Sequence, residues 1–111
     1  MRERRAILPG LVLGCFALSG HGAAAGGIAP DRAEELKNLV AQDCGSCHGL
    51  TRRGGLGSPL TAEALTGRDA SAIAGVILDG LPGTAMPPWR PLMSEADALW
   101  IADYLIDEGP E

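Results

Sequence analysis

Five consecutive residues, Cys-Gly-Ser-Cys-His at positions 44–48, constrain this chain more than any other feature. In a helix, this spacing puts two thiols about one turn apart, and an imidazole follows the second thiol directly. Thiolates and imidazoles are strong metal ligands, and thiols also form covalent bonds. The fold must therefore hold three reactive groups on one short segment, and the rest of the chain must accommodate whatever they bind.

The pattern Cys-x-x-Cys-His is typical of the covalent attachment of c-type haem. Cys44 and Cys47 are predicted to form thioether bonds to the haem vinyl groups, and His48 is predicted to bind the iron from the same side. Three alternatives stay open here: a zinc site, a thiol–disulfide redox pair and a structural disulfide. Zinc normally takes four ligands, and a redox pair needs a thioredoxin-like pattern of strands that the sequence does not show.

The first 25 residues have the organisation of an export signal. Arginines at positions 2, 4 and 5 precede an apolar run at positions 6–18, and three alanines at positions 23–25 fit a cleavage site. We expect residues 1–25 to be a cleaved secretory signal peptide and residues 26–111 to form the mature domain. A retained anchor is a weaker alternative, since the apolar run is shorter than the roughly 20 residues that span a bilayer. A lipid-modified Cys15 is also weaker, because the apolar run continues past it.

The mature domain is short, and its aromatic residues are Trp89, Trp100 and Tyr104. A chain of this length buries a modest part of its surface and is marginally stable without a cofactor or a covalent staple. The 111-residue sequence has a formal net charge of −5, and removing the arginine-rich start makes the domain more acidic. This balance argues against nucleic acid or an anionic membrane as a partner, and no stable membrane insertion is expected.

The spacing of apolar residues predicts an all-α domain with three to five helices and long loops rich in glycine and proline. The residues expected to begin or end the main helices are Asp31 and Gly45 for the first, Asp69 and Gly80 for the second, and Ser94, Asp97 and Asp107 for the last. A short helical turn is also expected to start at Thr61.

A second iron ligand is expected, because haems that transfer electrons carry two axial ligands. The mature domain has no other histidine, so methionine is the natural candidate. Met86 lies in Gly-Thr-Ala-Met-Pro-Pro-Trp at positions 83–89, a loop that prolines stiffen and that can present a thioether inwards. Met93 is more easily explained as core packing. We expect His48 and Met86 to be the axial ligands, with Met93 or an open iron position as alternatives.

The order of motifs resembles class I monohaem cytochromes c. It consists of an N-terminal helix, the haem motif, Gly-x-Pro at positions 57–59, Met-Pro at positions 86–87 and a final helix ending in Ile-Ala-Asp-Tyr-Leu at positions 101–105. More narrowly, residues 49–57, 78–80 and 83–92 resemble the small NirC-type cytochromes associated with haem c/haem d nitrite reductase. The resemblance implies a small class I fold with one covalently bound haem c.

The resemblance also implies roles for individual residues. Pro59 falls where class I cytochromes place the proline whose carbonyl accepts the N–H of the proximal imidazole. Trp89 is expected to cover the haem edge on the methionine side, to reach a propionate with its indole N–H, or simply to pack. Arg52 and Arg53 are expected to lie at a docking rim or to be solvated loop charges.

The resemblance implies a periplasmic single-electron carrier that is not an enzyme. The resemblance implies a periplasmic nitrite reductase as its redox partner and an upstream cytochrome or quinol-oxidising complex as its electron source. Two alternatives are a maturation or assembly factor for the haem d of nitrite reductase, and a haem enzyme or sensor in which Met86 dissociates. Electron transfer, complex formation and ligand binding by the reduced protein distinguish the three.

Overall fold

The structure, a computed structural model, describes Gly10 and residues 27–107. Its helices are α1 (Pro30–Leu39), a π-helical turn (Val40–Cys44), α2 (Gly45–His48), α3 (Ala70–Asp79) and α4 (Glu95–Asp107). No strand occurs in this part of the chain, so the predicted all-α class is confirmed. The predicted signal peptide and Cys15 lie outside the described residues, apart from Gly10. Among the described helices, none is long and apolar enough to cross a membrane.

The cap predicted for the first helix is wrong. α1 begins at Pro30, after Ala29, and no side chain caps it. Proline is favoured at the first helical position because its missing N–H and its fixed φ cost nothing there. Asp31 therefore lies inside the first turn, where its negative charge interacts favourably with the N-terminal end of the helix dipole.

The predicted end of this helix near Gly45 is also wrong. The helical backbone continues through the π-helical turn and α2 to His48, and Gly49 with φ 93° ends it. A π-helical turn inserts an extra residue into the helical repeat and often occurs at functional sites. Its consequence here is that Cys44, Cys47 and His48 follow one another along one continuous helical segment.

The predicted caps of α3 and α4 are confirmed. Asp69 accepts a hydrogen bond from the backbone N of Ala72 at 3.0 Å, and α3 ends before Gly80, whose φ is 69°. At α4 the backbone N of Asp97 donates to Ser94 Oγ at 3.0 Å, and the backbone N of Ser94 donates to Asp97 Oδ2 at 3.1 Å. This reciprocal pair satisfies two N–H groups that the helix itself leaves unbonded.

The core lies where α1 and α3 pack against α4, and the contact between α3 and α4 is the most extensive. The largest fully buried side chains are Leu36, Val40, Ile101 and Leu105. Met93 also lies in this core, 7% exposed, in agreement with its interpretation as packing. Because few large side chains fill the space beside these helices, a cavity remains next to the core.

Candidate haem site

A large apolar cavity lies between α2, the loop at positions 56–60, α3, α4 and the loop at positions 81–89. Its volume is about 840 Å³, within the range of roughly 300–1,000 Å³ for small-molecule and cofactor sites. The apolar side chains that α3 and α4 contribute are Ala72, Ile73, Val76, Ile77, Ile101 and Leu105. Several of these belong to the hydrophobic core. An apolar occupant would therefore complete the core.

Cys44, Cys47 and His48 all line this cavity. Cys44 is half-buried and Cys47 is exposed, and both thiols are free. Burial raises the pKa of the Cys44 thiol to about 11, the charge of Asp43 adds to the rise, and the charge of Arg52 opposes it. Within the described part of the chain, no group of three histidine, cysteine or acidic side chains is arranged to hold a metal ion.

A backbone carbonyl orients the ring of His48, but it is not the predicted one. Nδ1 of His48 lies 2.6 Å from the carbonyl oxygen of Ser58, so the prediction of the Pro59 carbonyl is wrong by one residue. Pro59 lines the cavity and restricts the preceding Ser58 to extended conformations, which limits the direction of the Ser58 carbonyl. Donation from Nδ1–H to this carbonyl leaves Nε2 free to bind a metal.

The loop after His48 packs tightly on α2 through backbone hydrogen bonds and glycine contacts. The backbone N of Gly54 donates to the carbonyl of His48 at 2.9 Å, and that of Gly57 donates to the carbonyl of Cys47 at 2.8 Å. A Cβ atom on Gly57 would lie 2.6 Å from Nδ1 and Cε1 of the His48 ring. This contact was not predicted from sequence, and the place of Gly57 in the Gly-x-Pro motif was the one available signal for it.

Met86 reaches the same cavity from the loop between α3 and α4, and its side chain is half-buried. The backbone N of Leu81 donates to the Met86 carbonyl at 3.3 Å. A Cβ atom on Gly80 would lie 2.6 Å from that carbonyl oxygen, so the loop returns closely over the end of α3. The structure thus brings His48 and Met86 to one cavity, whereas Met93 is not among the residues that line it.

Arg90 ties the Met86 loop to both neighbouring helices. Its Nε and Nη2 atoms each lie 2.9 Å from a carboxylate oxygen of Asp79 at the end of α3, and Nη1 lies 3.3 Å from Glu95 at the start of α4. The hydrogen bonds from Arg90 hold the pKa of Asp79 below its ordinary value. A bidentate pair of this kind fixes geometry as well as charge. This pair is not predictable from sequence, because its partners come from separate elements.

The three other residues with predicted roles differ in how far they are buried. Trp89 is half-buried, packs against the core and lines the cavity, and its role in covering a haem edge stays a prediction. Arg52 is 6% exposed, so both the docking-rim and the solvated-charge interpretations are wrong for it. The neighbouring Arg53 is exposed.

The groups on the cavity wall fit a c-type haem. Two thiols one turn apart, an imidazole with a free Nε2 atom and a thioether all line one apolar space. Thiols suit thioether formation, and imidazole with methionine is an established ligand pair for haem iron in cytochromes c.

Comparisons with known proteins agree with this geometry. A family model described as cytochrome c oxidase, cbb3-type, subunit III matches residues 31–105. Cytochrome c55X from Paracoccus denitrificans (strain Pd 1222) is 64% identical over 80 residues, which are 72% of this chain and 78% of the relative. A solved structure of the c-type cytochrome NirC has a TM-score of 0.71 and 47% identity, over 73% of this chain and 95% of that chain.

A larger protein contains a similar fold as a small part of its length. The dihydro-heme d1 dehydrogenase NirN, solved in complex with DHE, has a TM-score of 0.61 and 33% identity, over 68% of this chain and 16% of that chain. The family match extends from the first turn of α1 into the last turn of α4 and includes the haem motif and Met86. This chain therefore belongs to the c-type cytochrome family that the matching model describes, and it is a small cytochrome of the NirC type.

Proposed function

We propose that this protein is a periplasmic single-electron carrier with one haem c, attached through Cys44 and Cys47 and ligated by His48 and Met86. The observation that carries the proposal is that these four side chains line one apolar cavity. When bound, the haem supplies a centre that accepts and releases one electron, and the protein forms and breaks no bond in the process.

The residues around the cavity have separate tasks in this proposal. The Ser58 carbonyl fixes the tautomer and orientation of His48. The Met86 thioether raises the reduction potential relative to a second imidazole. Apolar side chains of α3 and α4 keep water from the buried part of the cofactor. Cys47 and Leu56 line the cavity and are exposed. The edge of the haem beside them would therefore be accessible to a partner for electron transfer.

The choice of Met86 as ligand is tested by replacing Met86 and Met93 separately with alanine. The Met86→Ala variant is expected to lose the absorption band of the iron–thioether bond and to bind carbon monoxide readily when reduced. The Met93→Ala variant is expected to keep the band and to lose about 2–5 kcal/mol of unfolding free energy, since Met93 is in the core. Loss of the band in the Met93 variant alone would contradict the assignment.

Carbon monoxide binding also tests the enzyme or sensor alternative. If Met86 dissociates readily, the reduced native protein binds carbon monoxide without denaturant. A native protein that keeps both ligands in both oxidation states supports the carrier.

The proposed electron acceptor is a haem c/haem d nitrite reductase, a partner suggested by the likeness to NirC and cytochrome c55X. Stopped-flow mixing of the reduced protein with oxidised nitrite reductase is expected to oxidise it rapidly, with a rate that depends on salt because this chain is acidic. An unrelated c-type cytochrome of similar potential serves as the control. If this protein reacts no faster than the control, the nitrite reductase assignment is wrong and the cytochrome assignment stands.

A second candidate function is assembly of the haem d of nitrite reductase, which the likeness to a dihydro-heme d1 dehydrogenase favours. An assembly factor forms a stable complex with a protein that carries haem d or its precursor, without rapid electron transfer. Size-exclusion chromatography of the mixed proteins, run beside the stopped-flow experiment, separates the two functions.

Periplasmic location is tested on the protein as the cell makes it. Mass spectrometry of protein recovered from the periplasm is expected to show an N-terminus at residue 26 and the added mass of one haem. Full-length protein in the cytoplasm without haem would contradict the proposed export and attachment.

A further inference from the structure

Arg52 combines two features that cost free energy. Its side chain is 6% exposed, and its Nε atom is buried without a hydrogen-bond partner. Its backbone has φ 55°, the left-handed region that residues with a Cβ atom rarely adopt. A buried, partly unsatisfied cation and a strained backbone each destabilise a fold. Because both costs fall on Arg52, the effect of its buried positive charge on the neighbouring site is the feature to explain.

Arg52 lies in the loop that follows His48, next to the cavity wall. Its backbone N donates to the carbonyl of Gly49 at 2.8 Å, and its carbonyl accepts from the backbone N of Leu60, also at 2.8 Å. Leu60 lines the cavity, but Arg52 does not. Arg52 is therefore buried beside this wall without lining the cavity, so its charge would act on the site through space.

Arg52 forms no ion pair with an acidic side chain in the described part of the chain. The ion pairs there are formed by Arg32, Lys37 and Arg90. The charge is felt at the attachment segment, because it opposes the rise in the pKa of Cys44. Burial leaves little water to screen it, so its influence extends further than that of an exposed charge.

We propose that Arg52 sets the reduction potential of the site, by favouring the reduced state with a buried positive charge. This inference rests on the proposed haem at positions 44–48. Reduction transfers one electron from a donor protein and lowers the charge of the site by one unit, with no bond formed or broken. A fixed cation nearby therefore disfavours the oxidised state. Arginine suits this role because its guanidinium stays protonated at all accessible pH values.

The first test compares Arg52→Gln with Arg53→Gln in the haem-loaded protein. Both substitutions remove one positive charge from the same loop, but Arg52 is buried and Arg53 is exposed. Spectroelectrochemical titration is expected to show a lower potential for Arg52→Gln, with the equilibrium constant for reduction reduced about tenfold, the order expected for loss of a buried and weakly screened unit charge. Arg53→Gln is expected to change it less than about twofold.

A second variant keeps the test decisive if Arg52→Gln does not retain haem. Lysine at position 52 keeps the charge at low pH, but a buried lysine releases its proton more easily than an exposed one. The potential of Arg52→Lys is expected to fall as the pH rises through the pKa of that lysine. Arg53→Lys, the matched control, is expected to follow the native pH profile over the same range.

The inference is overturned if the two variants at position 52 have the same potentials and pH profiles as their counterparts at position 53. A protein without haem shows no potential in any variant, and that result contradicts the proposed function instead. The two failures are therefore distinguishable.

Discussion

A side chain at Gly57 would collide with the imidazole ring of His48. A Cβ atom there would lie 2.6 Å from two atoms of the His48 ring and 3.1 Å from a third. Contacts under about 3.0 Å are not sustained, so the ring or the loop has to move. The backbone of Gly57 carries one of the hydrogen bonds to α2. Movement of the loop therefore disturbs the carbonyl of Ser58 as well as the imidazole.

Replacing Gly57 with alanine is expected to displace the His48 ring from the Ser58 carbonyl. The resulting change in ligand orientation should alter the iron spectrum and lower the unfolding free energy by about 1–3 kcal/mol, the usual cost of overpacking. The matched control is Gly75→Ala in α3, where a Cβ atom meets nothing within 4 Å. That substitution should stabilise the protein by up to about 1 kcal/mol, because alanine favours helix. Equal effects of the two substitutions would contradict the close contact.

At this scale, the sequence predicted reactive groups better than it predicted their neighbours. Cys44, His48 and Met86 were identified because few residue types can perform their chemistry, and the structure brings all three to one cavity. The hydrogen-bond partner of His48 was misassigned by one residue, because sequence spacing does not give the direction of a carbonyl. The burial of Arg52 was also not predictable, since an arginine in a glycine-rich loop is normally solvated.

The start of α4 is held by a charged group that also contacts α1. Asp97 accepts a hydrogen bond from the backbone N of Ser94 and pairs with Arg32 of α1, with Arg32 Nη2 2.9 Å from Asp97 Oδ2. One carboxylate thus both caps α4 and connects it to α1. The hydrogen bond from Arg32, followed by those from Ser94, holds the pKa of Asp97 below its ordinary value, while burial acts in the opposite direction.

The lowered pKa makes the contribution of Asp97 dependent on pH. Because the folded state favours the ionised carboxylate, its stabilisation is fully present above the ordinary pKa of about 4 and is lost as the pH falls through the lower folded-state value. Asp97→Asn is expected to lower the unfolding free energy by about 2 kcal/mol at pH 7. The difference from the native protein should shrink as the solution is acidified below about pH 4.

Urea unfolding of both proteins from pH 7 to pH 2 measures this difference. Asp103→Asn serves as the control, because Asp103 is an exposed residue of the same helix. A difference between native protein and Asp97→Asn that stays constant down to pH 2 would show that the carboxylate charge is not what stabilises the start of α4.

The starts and ends of helices were predicted correctly where interactions within a few residues determine them. Asp69, Gly80, Ser94 and Asp97 act through hydrogen bonds or backbone conformations within a few residues, and all four were identified. The extension of the first helix to position 48 was missed. Gly45 was expected to end the helix because it is a glycine. Its backbone is instead helical, with φ −61° and ψ −28°, and the π-helical turn leads directly into α2.

In the whole molecule, the cavity and the core share their residues. Ile77, Ile101 and Leu105 are buried core residues and also line the cavity. The cavity of about 840 Å³ is open to solvent, so without an occupant its apolar side chains contact water, which weakens the core. The protein without its cofactor is therefore expected to lose fixed packing.

A double variant, Cys44→Ser with Cys47→Ser, is expected to carry no covalent haem and to lose cooperative unfolding. Far-ultraviolet circular dichroism should still show helix, whereas near-ultraviolet signals of Trp89 and Trp100 should weaken and a hydrophobic dye should bind. The haem-loaded protein is the control. A sharp thermal transition of the double variant, with native near-ultraviolet signals, would show that the helices pack without an occupant.

The two sides of the cavity are held by separate sets of backbone hydrogen bonds. Residues 47–60 bond among themselves, the Met86 loop bonds to α3 and to itself, and none of the backbone bonds in residues 27–107 joins the two sets. The two sides of the cavity can therefore be varied independently of each other. On the proposed ligation, exchanging the segment at positions 80–93 for one with a different side chain at position 86 is expected to change the iron ligand, while residues 47–60 keep their own backbone hydrogen bonds.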